Sequence, residues 1–192
     1  MIKIILFILF NSVLSYGQTL KSKKIDFDKI SAYSDLKDST IYSLNKTELN
    51  KLMSTNNKKI TLLLSYGFWC KPCNNYFPKI LNLVNNNKDK IDLFLINVEP
   101  DNSRRLFLNN YFLQTRFGFF KANFMISEEY SKKKWKKYDA FLIDLIGVDG
   151  FDKSMSGMSQ NILYKNNKII YLSNYNLNDD DILKDIEKII NQ

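Results

Sequence analysis

The chain has 192 residues, of which 45% are apolar and 25% charged, with only 6 glycines and 3 prolines. That is enough chain for one domain with a hydrophobic core, and the composition excludes a collagen-like or low-complexity protein. The formal net charge is +8 and histidine is absent, which excludes Ser-His-Asp and Cys-His hydrolysis and removes the commonest metal ligand.

Residues 1–17 read as a secretory signal peptide. Lys3 gives a positive start, residues 4–10 form an apolar run, and Ser15 and Gly17 are small residues at positions −3 and −1 of a cut before Gln18. The run falls well short of the roughly 20 residues that span a bilayer, and no cysteine near the cut offers a site for a lipid anchor. No later segment is apolar enough to span either. The expected location is therefore periplasmic or secreted, where disulfides persist and nucleic acid is not an expected partner.

Residues 18–44 form an N-terminal extension rich in Lys, Asp and Ser, in which Ile25, Phe27 and Ile30 suggest an edge strand. A helix is predicted over 45–55, capped by Asn45, with Leu49, Leu52 and Met53 on one face. Residues 60–66 are almost continuously apolar, as in a strand buried on both faces. A helix follows to about Asn86, with Phe77, Ile80, Leu81 and Val84 on its inner face and Pro78 placed to kink it. Residues 91–98 are a second strong strand, and strand–helix–strand predicts a parallel pair with a right-handed crossover.

Residues 101–125 are rich in Phe and Leu and predict one helix. Their aromatics, Phe107, Tyr111, Phe112, Phe117, Phe119, Phe120 and Phe124, read as core in preference to a partner surface. A longer helix is predicted over 128–146, with Trp135, Tyr138, Leu142 and Leu145 as a core-facing stripe. Lys132, Lys133, Lys134, Lys136 and Lys137 read as its solvated face, the sharper alternative being a docking patch for an acidic partner. Residues 160–165 and 168–173 predict a hairpin turning at Asn166-Asn167. Residues 178–190 predict a final amphipathic helix capped by Asn178 or Asp179. The organisation is one domain over 45–192, with a helical insertion at about 101–157.

Cys70 and Cys73 are the only cysteines. They stand at the mouth of a buried strand and the start of a helix, where free backbone N–H groups and the helix dipole stabilise a thiolate. The Cys70 thiol is therefore expected to be more acidic than a free one, with Lys71 adding positive charge beside it. Cys70, nearer the surface, is placed to attack a disulfide, and Cys73, one turn deeper, to resolve the mixed disulfide. Pro72 stiffens the first turn. Two other uses of the pair stay open: half of a zinc site completed by a second chain, and a structural disulfide, whose very short loop contributes little.

The run Trp69-Cys70-Lys71-Pro72-Cys73 resembles the active-site motif of thioredoxins, Pro78 matches their helix-kinking proline, and the predicted elements follow thioredoxin order. The resemblance covers about residues 45–190, interrupted between about 101 and 157, and with an export leader it is similar to the TlpA-like group of extracytoplasmic thiol–disulfide oxidoreductases. It implies an α/β thioredoxin-like three-layer sandwich with a central mixed sheet. It also implies Cys70 as the attacking and Cys73 as the resolving cysteine, and Trp69, Lys71, Pro72, Met158 and Ser159 as the surface that meets substrate. The implied partners are disulfide-bonded proteins and an extracytoplasmic or membrane thiol donor, with no cofactor. The Lys-Pro dipeptide resembles reducing members of the family. Two positions depart from it. Leu64 stands where the family keeps a buried acid, leaving Glu99 or water to accept the Cys73 proton. Ser159 stands where the family keeps a cis-proline, and because a cis bond before a non-proline costs about 2.5–4 kcal/mol the Met158–Ser159 bond is expected to be trans. A different class of function also fits: a non-catalytic binding module, or two chains sharing a metal or iron–sulfur cluster through four cysteines.

Overall fold

A computed structural model describes residues 18–55, 60–173 and 177–192. The expected leader, residues 1–17, lies outside the described residues. Six strands form one sheet: β1 (Ile41–Leu44), β2 (Ile60–Ser65), β3 (Ile91–Asn97), β4 (Asn123–Ile126), β5 (Asn161–Lys165) and β6 (Lys168–Leu172). The α-helices among the described residues are α1 (Lys46–Ser54), α2 (Lys71–Asn86), α3 (Arg104–Phe117), α4 (Lys134–Ile146) and α5 (Asp179–Ile190).

The sheet order is β1-β4-β3-β2-β5-β6. β1, β4, β3 and β2 run parallel, and β2–β5 and β5–β6 pair antiparallel. Every residue of β2 is buried, because successive side chains enter opposite layers. Leu63 packs with α1 residues Leu49 and Leu52 and α4 residues Phe141 and Leu142. Leu62 and Leu64 pack with Phe77 and Ile80 of α2, Leu113 of α3 and Ile186 of α5. Two cores on the two faces of a mixed sheet make the three-layer, thioredoxin-like α/β fold that the motif implied.

The structure corrects the sequence reading in three places. The edge strand is β1, at 41–44; Ile25 is buried but residues 25–30 form no strand, and the segment is held by isolated bridges at Leu20 and Lys23, by the Ser22 N–H bond to Asp101 and by the packing of Ile25, Phe27 and Ile30 in the core. The segment 101–157 is not purely helical: α3 closes on Gly118, at φ 62°, and the chain then enters the sheet as β4, between β1 and β3. A four-residue strand that begins with Asn is too short to show a period-2 pattern. Finally, α4 begins at Lys134, later than expected, and no side chain caps its first turn. No described helix is long and apolar enough to cross a membrane.

Candidate active site at the Cys70–Cys73 pair

β2 delivers the chain to the C-terminal edge of the parallel strands, and a tight turn starts α2 there. The Cys70 N–H donates to the Gly67 carbonyl at 2.9 Å. Cys70 is the N-cap of α2, and its Sγ accepts from the Cys73 N–H at 3.2 Å. Pro72 occupies the first turn, where backbone N–H groups have no helical acceptor, so its missing donor costs nothing. Pro78 lies inside the helix. Asn109 of α3 and Asn74 fasten the turn from either side: Phe68 N–H donates to Asn109 Oδ1 at 2.7 Å, and Asn74 Nδ2 donates to the Phe68 carbonyl at 2.8 Å.

Cys70 and Cys73 are joined as a disulfide, with Cα atoms 5.2 Å apart. Cys73 is 1% exposed and packs in the apolar cluster of Leu64, Tyr66, Tyr76 and Phe77, whereas Cys70 is only partly buried. The outer sulfur is thus the one a second molecule can reach.

Trp69, 40% exposed, forms a shelf beside Cys70. Gly67 makes room for it: a Cβ there would stand 2.9 Å from the indole Cε2. The indole Nε1–H donates to Glu99 Oε1 at 2.7 Å. The same oxygen accepts from Lys134 Nζ at 2.6 Å, and that ammonium lies 3.7 Å from the Trp69 ring centroid. Trp135 meets Trp69 edge to face at 6.1 Å. Lys137 is fully buried and donates from Nζ to the Glu99 carbonyl at 3.0 Å. Burial holds both ammonium groups below the ordinary lysine value, against the pull of Glu99 on each. Glu99 Oε2 is buried with no partner among the described residues.

On the other side of the disulfide, Ser159 has φ +66°, a left-handed conformation uncommon for a residue with a side chain. Ser65 pins the loop there. The Ser159 N–H donates to the Ser65 carbonyl at 2.9 Å, and the Gln160 N–H donates to Ser65 Oγ at 3.0 Å. Asn161 Nδ2 donates to the Ser159 carbonyl at 2.8 Å. Peptide bonds among the described residues are all trans, the Met158–Ser159 bond included.

A groove of about 360 Å³ runs between these two walls, lined by Trp69, Cys70, Pro72, Met158 and Ser159 among others. Lys71 is exposed but does not line it, and Cys73 lies beneath its floor. Leu64, 1% exposed, pairs with Leu95 and Asn161 and contributes no acid below Cys73. Trp135 departs from the expected stripe: it is 43% exposed and lines the groove, while Tyr138 and Leu142 face the core. The lysines divide in the same way, with Lys134 and Lys137 turned inward and only Lys132, Lys133 and Lys136 exposed. Asn109, Ser65 and Asn161, which shape the site, were not singled out in the sequence; the available signal was a polar residue inside an otherwise apolar run. Among the described residues, no group of three or more Cys, Asp or Glu is placed to hold a metal ion.

Neither a protein-family model nor a curated protein sequence matches the chain. Solved structures similar to it include the thioredoxin domain of a thiol-disulfide oxidoreductase from Bacteroides vulgatus, at 16% identity over 72% of this chain and 84% of that one, with a TM-score of 0.48. A DsbF homologue from Corynebacterium diphtheriae matches at 16% identity over 71% and 75%, TM-score 0.49. A secreted thiol-disulfide isomerase from Corynebacterium glutamicum matches at 14% identity over 73% and 75%, TM-score 0.49. The fold assignment rests on strand order, register and the two cores described above.

Proposed function

We propose that the protein is an exported thiol–disulfide oxidoreductase that reduces or exchanges disulfides of other proteins through Cys70 and Cys73. One observation carries the reading: the partly exposed Cys70 sulfur caps a helix and accepts the Cys73 N–H, while Cys73 is buried one turn deeper. That asymmetry suits a two-step exchange. In the reduced protein, the helix N-terminus favours the Cys70 thiolate, whereas the apolar surroundings of Cys73 keep its thiol protonated.

The Cys70 thiolate attacks one sulfur of a substrate disulfide; the Cys70–substrate S–S bond forms, the substrate S–S bond breaks, and the first substrate thiolate leaves. Cys73 then loses its proton and attacks the Cys70 sulfur, forming the Cys70–Cys73 bond and releasing the second substrate thiolate. Two electrons pass from the dithiol to the substrate, and an external thiol donor must reduce the protein again. Trp69, Pro72, Met158 and Ser159, which line the groove, and exposed Lys71 are the residues we assign to substrate contact. Export rests on the leader-like residues 1–17.

The test is a disulfide-reduction assay with dithiothreitol as donor, on wild type and Cys70→Ser. Wild type is expected to accelerate reduction and Cys70→Ser to be inactive; equal rates overturn the reading. The reductive direction predicts a potential nearer to about −270 mV than to about −120 mV in glutathione equilibrium.

A further inference from the structure

Two exposed tryptophans stand beside the disulfide, and the helix that carries one of them begins in a run of lysines to which the exchange chemistry gives no role. Trp135 lies on a helix stripe whose other members face the core, yet it is 43% exposed and shares the groove with Trp69, Met158 and Leu177. Large amphipathic rings held rigid at a groove wall are suited to gripping an apolar side chain. Trp69 is fixed by Glu99 and Lys134, and Trp135 packs against Trp69 and Tyr138.

The exposed charge at the start of α4 is mostly positive. Lys132, Lys133 and Lys136 are exposed within three residues of Trp135, and Lys71 is exposed next to Cys70. None of the four forms a salt bridge among the described residues. Arg105, also exposed, is near enough to Lys134 to disfavour its charged form. Two acids stand by this wall, and both are engaged: Glu99 is buried and paired with Lys134, and Asp139, one turn from Trp135 on α4, is bonded by Lys153 and Ser156. The opposite wall differs: Asp179 lines it from the first turn of α5, where Asp180 pairs with Lys79 at 2.7 Å. Asp179 is thus the charged residue in the groove lining, and the exposed lysines stand outside that lining, next to Trp135 in the chain.

We infer that this groove selects acidic polypeptide segments, taking an apolar side chain beside the reactive cysteine against the packed Trp69–Trp135 pair and turning the segment's carboxylates toward Lys132, Lys133 and Lys136. The inference rests on the exchange chemistry proposed above and names the class of substrate for it. Complementary charge of this kind acts on encounter rate and orientation, and salt screens it.

The test follows the reduced protein reacting with three peptide disulfides that carry Phe beside the cysteine and differ only in flanks of Asp, Asn or Lys. Each rate is divided by the same peptide's rate with dithiothreitol, which removes intrinsic reactivity. Hydroxyethyl disulfide is the small neutral control. The Asp peptide is expected to react about tenfold faster than the Lys peptide at low ionic strength, and the gap to close to about twofold in concentrated salt. Combined Lys132→Glu, Lys133→Glu and Lys136→Glu substitutions are expected to invert the preference and leave the hydroxyethyl disulfide rate unchanged. Trp135→Ala is expected to slow all three peptides more than the small disulfide. Equal normalised rates, or a preference for Lys flanks, with hydroxyethyl disulfide still reduced, overturn the inference alone. Equal rates together with a dimer that the triple Glu variant dissociates assign the patch to a second copy and also overturn it. Failure to react with any disulfide overturns the oxidoreductase reading itself.

Discussion

Glu99 is 1% exposed, and its Oε1 accepts from both Trp69 and Lys134. A buried carboxylate persists only while it is paired, and removing one partner of such a pair is more costly than never having built it. Lys134→Met removes the cation that pairs with the buried Glu99 carboxyl group, with an expected loss of about 3–5 kcal/mol by urea denaturation. Lys137→Met removes a desolvated ammonium whose hydrogen-bond acceptor is the Glu99 carbonyl, so a loss of about 1 kcal/mol or less is expected. The reverse ranking would mean that Lys137, and not Lys134, neutralises Glu99. None of this was legible in the sequence. A run of lysines at a helix start reads as solvent-facing, because the pattern shows where a helix can point side chains and not which neighbour carries a buried acid to receive them.

At the scale of elements, the site is a junction of β2, α2 and the loop that enters β5. The loop depends on Ser159, whose N–H is bonded to Ser65 and whose φ is +66°. Proline at this position cannot donate and is confined near φ −65°. Ser159→Pro is therefore expected to destabilise by about 3 kcal/mol, lowering the urea midpoint, even though thioredoxins carry proline at the matching place. A stabilised variant would show that the loop's conformation is set by something other than these hydrogen bonds. The elements that the sequence did reveal are those with enough residues to display a pattern: α1, β2, α2, β3, α3, α4, the hairpin and α5. β1 and β4 have four residues each, two per face, and their place in the sheet is settled by pairing with each other through residues distant in the chain. The motif at 69–73 was legible because strand, turn and helix cap are local. Trp135 and Asn109 were not, because their roles arise only when α4 and α3 dock.

At the scale of the whole molecule, ionisation follows from composition and burial. Histidine is absent and both cysteines are in the disulfide, so these groups contribute no change in stability near neutral pH. Burial raises Tyr33, Tyr66, Tyr76 and Tyr164 well above the ordinary tyrosine value, and pushes Tyr171 up to about 12, Asp185 adding to that shift. A raised tyrosine contributes stability that is complete below the unfolded value and lost as pH rises above it. Lys134 and Lys137 are lowered by burial, so the unfolded chain binds more protons there and stability rises with pH up to the ordinary lysine value. The two trends together place the stability maximum on the alkaline side of neutral, with a fall above about pH 10. Urea midpoints between about pH 6 and pH 11 measure this; a maximum below pH 7 would contradict it.

In the proposed mechanism Cys70 attacks and Cys73 resolves. It is tested most directly by trapping: reduced Cys73→Ser and Cys70→Ser proteins are mixed with an excess of a disulfide-bonded protein, quenched in acid and weighed by mass spectrometry. A stable mixed disulfide on Cys70 is expected in the Cys73→Ser variant and little or none in Cys70→Ser. Adducts forming equally in both variants, or in neither, would contradict it.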